Sequence, residues 1–136
     1  MNLFATTQTS HSLLFAAILT IIYLAQSFYV VLHRWKARTS LGTNTDPLHP
    51  LSRAIRVHGN FMEYAPLFLI LFFLVENNEL ASSYLKVAGW SFVIGRLCHW
   101  FGLMQKNTVN PFRQLGMVLT FTPMGLLAGW ALVKFL

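Results

Sequence analysis

Four long apolar stretches, separated by shorter polar segments, divide the chain. Each approaches the roughly 20 residues that an α-helix needs to cross the hydrocarbon core of a bilayer. The pattern therefore predicts four transmembrane helices, at residues 12–32, 57–75, 82–104 and 115–133. No internal repeat or low-complexity tract interrupts this pattern, and so we interpret residues 1–136 as one domain.

The connections between the predicted helices indicate how the helices pack. Those after the second and third helices are short, which makes consecutive helices antiparallel neighbours. We therefore predict an all-α membrane protein, a four-transmembrane-helix up-down bundle. Four helices from so small a chain enclose little space, which favours a homo-oligomer with its sites between subunits.

Composition agrees with a membrane location, because 55% of the 136 residues are hydrophobic and only 10% are charged. The net charge of +6 would suit nucleic acid, but the positions of the basic residues favour membrane lipids as partners. Eight of the ten Lys and Arg residues lie in or beside the first and third connections: Arg34, Lys36, Arg38, Arg53, Arg56, Arg96, Lys106 and Arg113. The positive-inside rule makes those connections cytoplasmic. Glu76 and Glu79, in and beside the second connection, are predicted to form a solvated face on the other side.

Polar residues of the second predicted helix share one face. At 3.6 residues per turn, Arg56, Asn60, Glu63 and Tyr64 fall within about 100° of one another, whereas His58 lies about 160° from Arg56. A carboxylate inside a span costs about 2.5 to 3.5 kcal/mol on insertion scales. Glu63 therefore needs a partner.

The third predicted helix brings Arg96 and His99 to the same depth as Glu63, and Arg96 is the expected partner of that carboxylate. One interpretation is that these residues only join helices, as polar side chains do inside membranes. The other is a site for a ligand that carries carboxylates and an ammonium group, because guanidinium groups pair with carboxylates. Glutathione has this charge pattern.

The motif R-x-x-x-N-x-x-E-Y-x-P at residues 56–66, followed by G-R-x-x-H at residues 95–99, resembles the MAPEG family, the membrane-associated proteins in eicosanoid and glutathione metabolism. The resemblance covers nearly the whole chain. It implies a trimer with glutathione, as co-substrate, bound between subunits near the cytoplasmic face. Its implied contacts are Arg56, His58, Asn60, Glu63, Tyr64, Arg96 and His99.

The resemblance leaves open which residue activates the glutathione thiol. Arg113, near the start of the fourth helix, and Arg34, near the end of the first, are the candidate catalytic residues. Two departures from the family pattern bear on the site. His99 and Leu103 stand where other members have tyrosines, and Trp35 follows Arg34 where a second arginine is expected.

Three functions are compatible with these residues. The first is a glutathione-dependent transferase or peroxidase acting on lipophilic electrophiles or lipid hydroperoxides. The second is a non-catalytic lipid-binding or scaffold protein of the same fold, and the third is a small multidrug or ion transporter that uses Glu63. No spacing of His, Cys or acidic residues indicates a metal site. The membrane would be a bacterial inner membrane or the endoplasmic reticulum.

Overall fold

The computed structural model describes residues 10–78, 80–105, 107 and 109–136, which form four α-helices. The helices are α1 (His11–Ala37), α2 (Pro50–Glu76), α3 (Ser82–Met104) and α4 (Pro111–Phe135). No strand occurs among these residues, which confirms the all-α prediction. Glu79 and Lys106, used in the charge argument above, lie outside the described residues.

Contacts between the helices have an antiparallel register from each helix to the next. The pairs in contact are Ser12–Glu76 and Ser27–His58 between α1 and α2, Arg53–Met104 and Phe68–Phe92 between α2 and α3, and Ser91–Leu119 and Gly102–Arg113 between α3 and α4. The predicted up-down bundle is therefore confirmed. The first and third connections lie at one end of the bundle, and the second connection lies at the other.

Three of the helices, α1, α2 and α4, are long and apolar enough to cross a membrane by length and composition. The helix α3 is not among them, because Lys86, Arg96 and His99 lower its mean hydropathy. Its 23 residues still extend over about 34 Å, at 1.5 Å per residue, and it packs along both α2 and α4.

Phenylalanine rings fill the half of the bundle that lies toward the second connection. Phe68 stacks on Phe92 at 3.8 Å between ring centroids, and Phe15 meets Phe72 edge-on at 5.4 Å. All four rings are fully buried. This apolar layer joins α1, α2 and α3, and the polar residues of the site lie closer to the end with the basic connections.

Glycines let the backbones of α3 and α4 approach closely beside the predicted site. A Cβ atom on Gly116 would lie 2.6 Å from the backbone nitrogen of His99, and one on Gly102 would lie 2.5 Å from that of Arg113. Small residues at helix contacts are a common means of packing in membranes. This close approach sets the positions of His99 and Arg113 relative to each other.

Glu76, at the end of α2, binds the first turn of α1. Its carboxylate accepts hydrogen bonds from the backbone nitrogens of His11 at 2.6 Å and Ser12 at 3.0 Å, and from the Ser12 hydroxyl. A carboxylate is favoured there because the amino end of a helix carries unpaired N–H groups and a partial positive charge. The prediction of a solvated face was therefore wrong for Glu76.

Glu76→Gln should lower the free energy of unfolding by about 1.5 to 3 kcal/mol, the usual contribution of hydrogen bonds to a charged group. Unfolding of detergent-solubilised protein with sodium dodecyl sulfate, followed by circular dichroism, measures this loss. Glu63→Gln is the comparison variant, because the same substitution then falls on an exposed carboxylate of α2 that accepts a hydrogen bond from Asn60 of that helix, so it should lower the free energy of unfolding less. An equal loss in both variants would contradict this role of Glu76.

Candidate functional site

Arg96 joins α3 to the polar face of α2. Its Nη1 donates a hydrogen bond to Oδ1 of Asn60 at 3.1 Å, and its guanidinium carbon lies 5.4 Å from the centre of the Tyr64 ring. The side chain is almost fully buried, at 3% exposure. The prediction that the two polar clusters meet at one depth is therefore confirmed for Arg96, Asn60 and Tyr64.

We expected Glu63 to pair directly with Arg96, but it does not. Instead, Nδ2 of Asn60 donates to Oε2 of Glu63 at 3.4 Å, while Oδ1 of the same amide accepts from Arg96. The amide lies between the two charges because it offers both a donor and an acceptor. The carboxylate of Glu63 is exposed and remains free to contact a ligand or another subunit.

Burial of the α2 face is graded from its edge to its centre. Arg56 and Glu63 are exposed, Asn60 and Tyr64 are half-buried, and Arg96 lies beneath them. The ring of Tyr64 also packs edge-on against Phe121 of α4, at 5.3 Å between centroids. A single subunit therefore presents an exposed guanidinium and an exposed carboxylate on one outer surface, above a buried guanidinium.

His58 points away from this surface, as the helical count indicated. Its Nε2 lies 3.1 Å from the Ser27 hydroxyl, and its ring lies 5.1 Å from the ring of Tyr23. Both partners belong to α1. Within one subunit, His58 is thus a packing residue between α1 and α2, separate from the surface around Asn60.

His99 is brought to the cluster from α3. It is 6% exposed, and with Asn60 and Arg96 it lines a narrow internal pocket. Arg56 and Arg113 are near enough to act on it electrostatically. The structure therefore groups His99 with the predicted contacts, surrounded by positive charge.

The two candidate catalytic arginines lie at the end of the bundle with the basic connections. Arg113, the third residue of α4, follows the helix cap Asn110, whose Oδ1 accepts from the Arg113 backbone nitrogen at 3.0 Å. Arg34 donates from Nη1 to the carbonyl oxygen of Gly42 at 3.0 Å, in the first connection. Of the two, Arg113 is the one near enough to His99 to act on it electrostatically.

Sequence reasoning missed Gln26, which lines the same narrow pocket as Asn60, Arg96 and His99 and is only 2% exposed. The first helix contains no Asp or Glu, and its basic residues lie at its end, so no charged residue within the span indicated a site there. The available signal was a single amide within the otherwise mostly apolar run IIYLAQSFYVVL.

The described residues contain no group of three His, Cys, Asp or Glu side chains that could hold a metal ion. A separate apolar groove of about 460 Å³ lies between α3 and α4, toward the second connection. Val87, Leu126 and Leu127 line it, and Tyr84 and Trp130 are the aromatic residues beside them. The polar cluster and this apolar groove are two distinct features of the bundle.

Comparison with known proteins places this fold in a family. The sequence pattern of the MAPEG family matches residues 12–133. The inner membrane protein YecN of Escherichia coli K12 is 30% identical over 110 residues, which is 81% of each chain, and YecN of Escherichia coli O6:H1 matches to the same extent. No solved structure matches. The chain therefore belongs to the MAPEG family and is an integral membrane protein.

Proposed function

We propose that this protein binds glutathione at the surface formed by the α2 face and Arg96. It would use glutathione as co-substrate in transfer to lipophilic electrophiles or in reduction of lipid hydroperoxides. The observation that supports this most is the exposed pair Arg56 and Glu63 beside Asn60, with Arg96 buried beneath. One surface thereby offers a group for an anion, a group for a cation and an amide.

Glutathione matches these groups in charge. Its two carboxylates suit guanidinium groups such as that of Arg56, which can donate two parallel hydrogen bonds to one carboxylate. Its ammonium group suits Glu63, and the Asn60 amide and Tyr64 hydroxyl supply further polar contacts. His99, which is buried beside Arg96, would add one more polar group to this site. His58 would take part only through a neighbouring subunit.

The chemistry requires a thiolate near a positive charge. A free thiol has a pKa of about 8.5, and each unit by which this is lowered corresponds to about 1.36 kcal/mol of thiolate stabilisation. Arg113 is our first candidate for this role and Arg34 the second. In transfer, the thiolate forms a C–S bond and the leaving group departs with its electron pair. In peroxide reduction, two glutathione molecules become one disulfide while the hydroperoxide becomes an alcohol and water.

A homo-oligomer, with a trimer as our proposal, would complete the site. Glu63 lies within the candidate span α2 and is exposed in one subunit, and an ionised carboxylate facing lipid is costly. A second copy packed against this face would shield it and enclose the ligand. We further propose that α3 crosses as the fourth span, with the basic first and third connections in the cytoplasm.

Calorimetric titration of glutathione into the detergent-purified oligomer tests this function. We expect saturable binding and glutathione-dependent turnover of a chlorinated nitrobenzene or a lipid hydroperoxide. Cysteine is the control ligand, because it carries the thiol but lacks the second carboxylate, and it should bind far more weakly. An intact oligomer that neither binds glutathione nor turns over either substrate would refute the proposal.

The apolar groove between α3 and α4 favours one alternative, a non-catalytic lipid-binding or scaffold protein. Its lining is almost entirely apolar, and Tyr84 and Trp130 are typical of membrane interfaces. Saturable lipid binding without any thiol chemistry would support it. A cation transporter is less favoured, because positive Arg56 and Arg96 lie near Glu63 and oppose a cation that brings no carboxylates of its own to pair with them.

A further inference from the structure

Two buried polar atoms beside the candidate site lack hydrogen-bond partners among the described residues. One is the amide oxygen Oε1 of Gln26 on α1, and the other is Nε of Arg96 on α3. Both side chains are more than nine-tenths buried, at 2% and 3% exposure. An unsatisfied acceptor and an unsatisfied donor inside a membrane protein are each costly.

The surroundings of these atoms restrict what could satisfy them. Gln26 and Arg96 line one pocket together with Asn60 and His99, and that pocket has no room for a water-sized molecule. The amide oxygen and the Nε–H group are chemically complementary, being an acceptor and a donor on two side chains that line one pocket.

We propose that Gln26 is a positioning residue for Arg96, and that its Oε1 accepts a hydrogen bond from the Arg96 Nε–H group once the two side chains rotate toward each other. A guanidinium is a rigid plane whose donors point in fixed directions. A hydrogen bond from Arg96 Nε to Gln26 on α1 therefore also fixes the direction of Nη1, which donates to Asn60 on α2. The effect on ligand binding rests on the proposed function, because Asn60 is there a glutathione contact.

The hydrogen bond itself can be tested without glutathione binding as the readout. Protein labelled with ¹⁵N-arginine contains six arginines, and the Nε–H resonance of Arg96 is identified by its loss in Arg96→Lys. Gln26→Leu should shift that resonance in the absence of any ligand, while Gln26→Glu, which keeps an acceptor, should retain a hydrogen-bonded shift. Ser27→Ala is the control, because it removes an α1 hydroxyl that contacts His58 instead. An unmoved Arg96 resonance in Gln26→Leu would overturn the proposal.

Glutathione kinetics test the consequence for the site. Gln26→Leu should raise KM for glutathione about tenfold and leave kcat little changed. A rise of about tenfold corresponds to the lower end of the range for losing a hydrogen bond to a charged group. Gln26→Glu should recover part of the loss, and Ser27→Ala should leave KM unchanged. If the natural protein binds glutathione and Gln26→Leu has the same KM, the positioning role is wrong while the proposed function stands. If the natural protein binds no glutathione, the proposed function fails and the arginine resonance alone decides on the hydrogen bond.

Discussion

Arg56→Ala and Glu63→Gln should each weaken glutathione binding by about 30-fold to several thousand-fold. Removing one partner of an enclosed charge pair costs about 2 to 5 kcal/mol, and each 1.4 kcal/mol is a factor of ten. Both side chains are exposed in one subunit, so neither substitution removes packing within the bundle. Calorimetry on the purified oligomer measures the loss of affinity, and size-exclusion chromatography verifies that the oligomer is intact.

Lys36→Ala is the control for these two variants. Lys36 is an exposed cation in the last turn of α1, so its removal lowers the net charge by the same amount as Arg56→Ala. Glutathione affinity should then change less than about threefold, since the charge of a solvent-exposed side chain outside the binding site is largely screened by water and salt. Natural affinity in both Arg56→Ala and Glu63→Gln would exclude the α2 face as the binding site.

Gly116→Ala should lower the free energy of unfolding by about 1 to 3 kcal/mol, the usual cost of an extra methyl group in a packed interior. The added Cβ would lie 2.6 Å from the backbone nitrogen of His99 and 2.8 Å from the carbonyl oxygen of Gly95. Backbone atoms cannot rotate away as a flexible side chain can, and so α3 and α4 must separate. Unfolding with sodium dodecyl sulfate, followed by circular dichroism, measures the change.

Gly129→Ala is the matched control for Gly116→Ala on the same helix. A Cβ on Gly129 would have no neighbouring atom within 4 Å, and alanine favours the helix by about 1 kcal/mol over glycine. The control should therefore be neutral or stabilising. If both variants had the natural stability, the close approach of α3 and α4 would not support the bundle as described. Because His99 lies at this contact, Gly116→Ala should also weaken glutathione binding.

Local rules were enough to predict the helices and the polar face. The length of the apolar stretches indicated four helices, and the short connections indicated an antiparallel order. The helical period alone placed Arg56, Asn60, Glu63 and Tyr64 on one face and His58 on another, and the contacts of His58 with α1 agree with this. These properties depend only on the spacing of residues along one helix.

Contacts between helices were decided only by the tertiary structure. The antiparallel order of the helices predicted Arg96 at the depth of Glu63, yet the amide of Asn60 lies between the two charges. The sequence pattern did not indicate that Glu76 binds the start of α1, nor that Gln26 shares a pocket with Arg96. The physical reason is that periodicity determines which side of its own helix a residue occupies. Which atoms meet across helices depends on how closely the backbones approach and on the rotamers that the packing then permits.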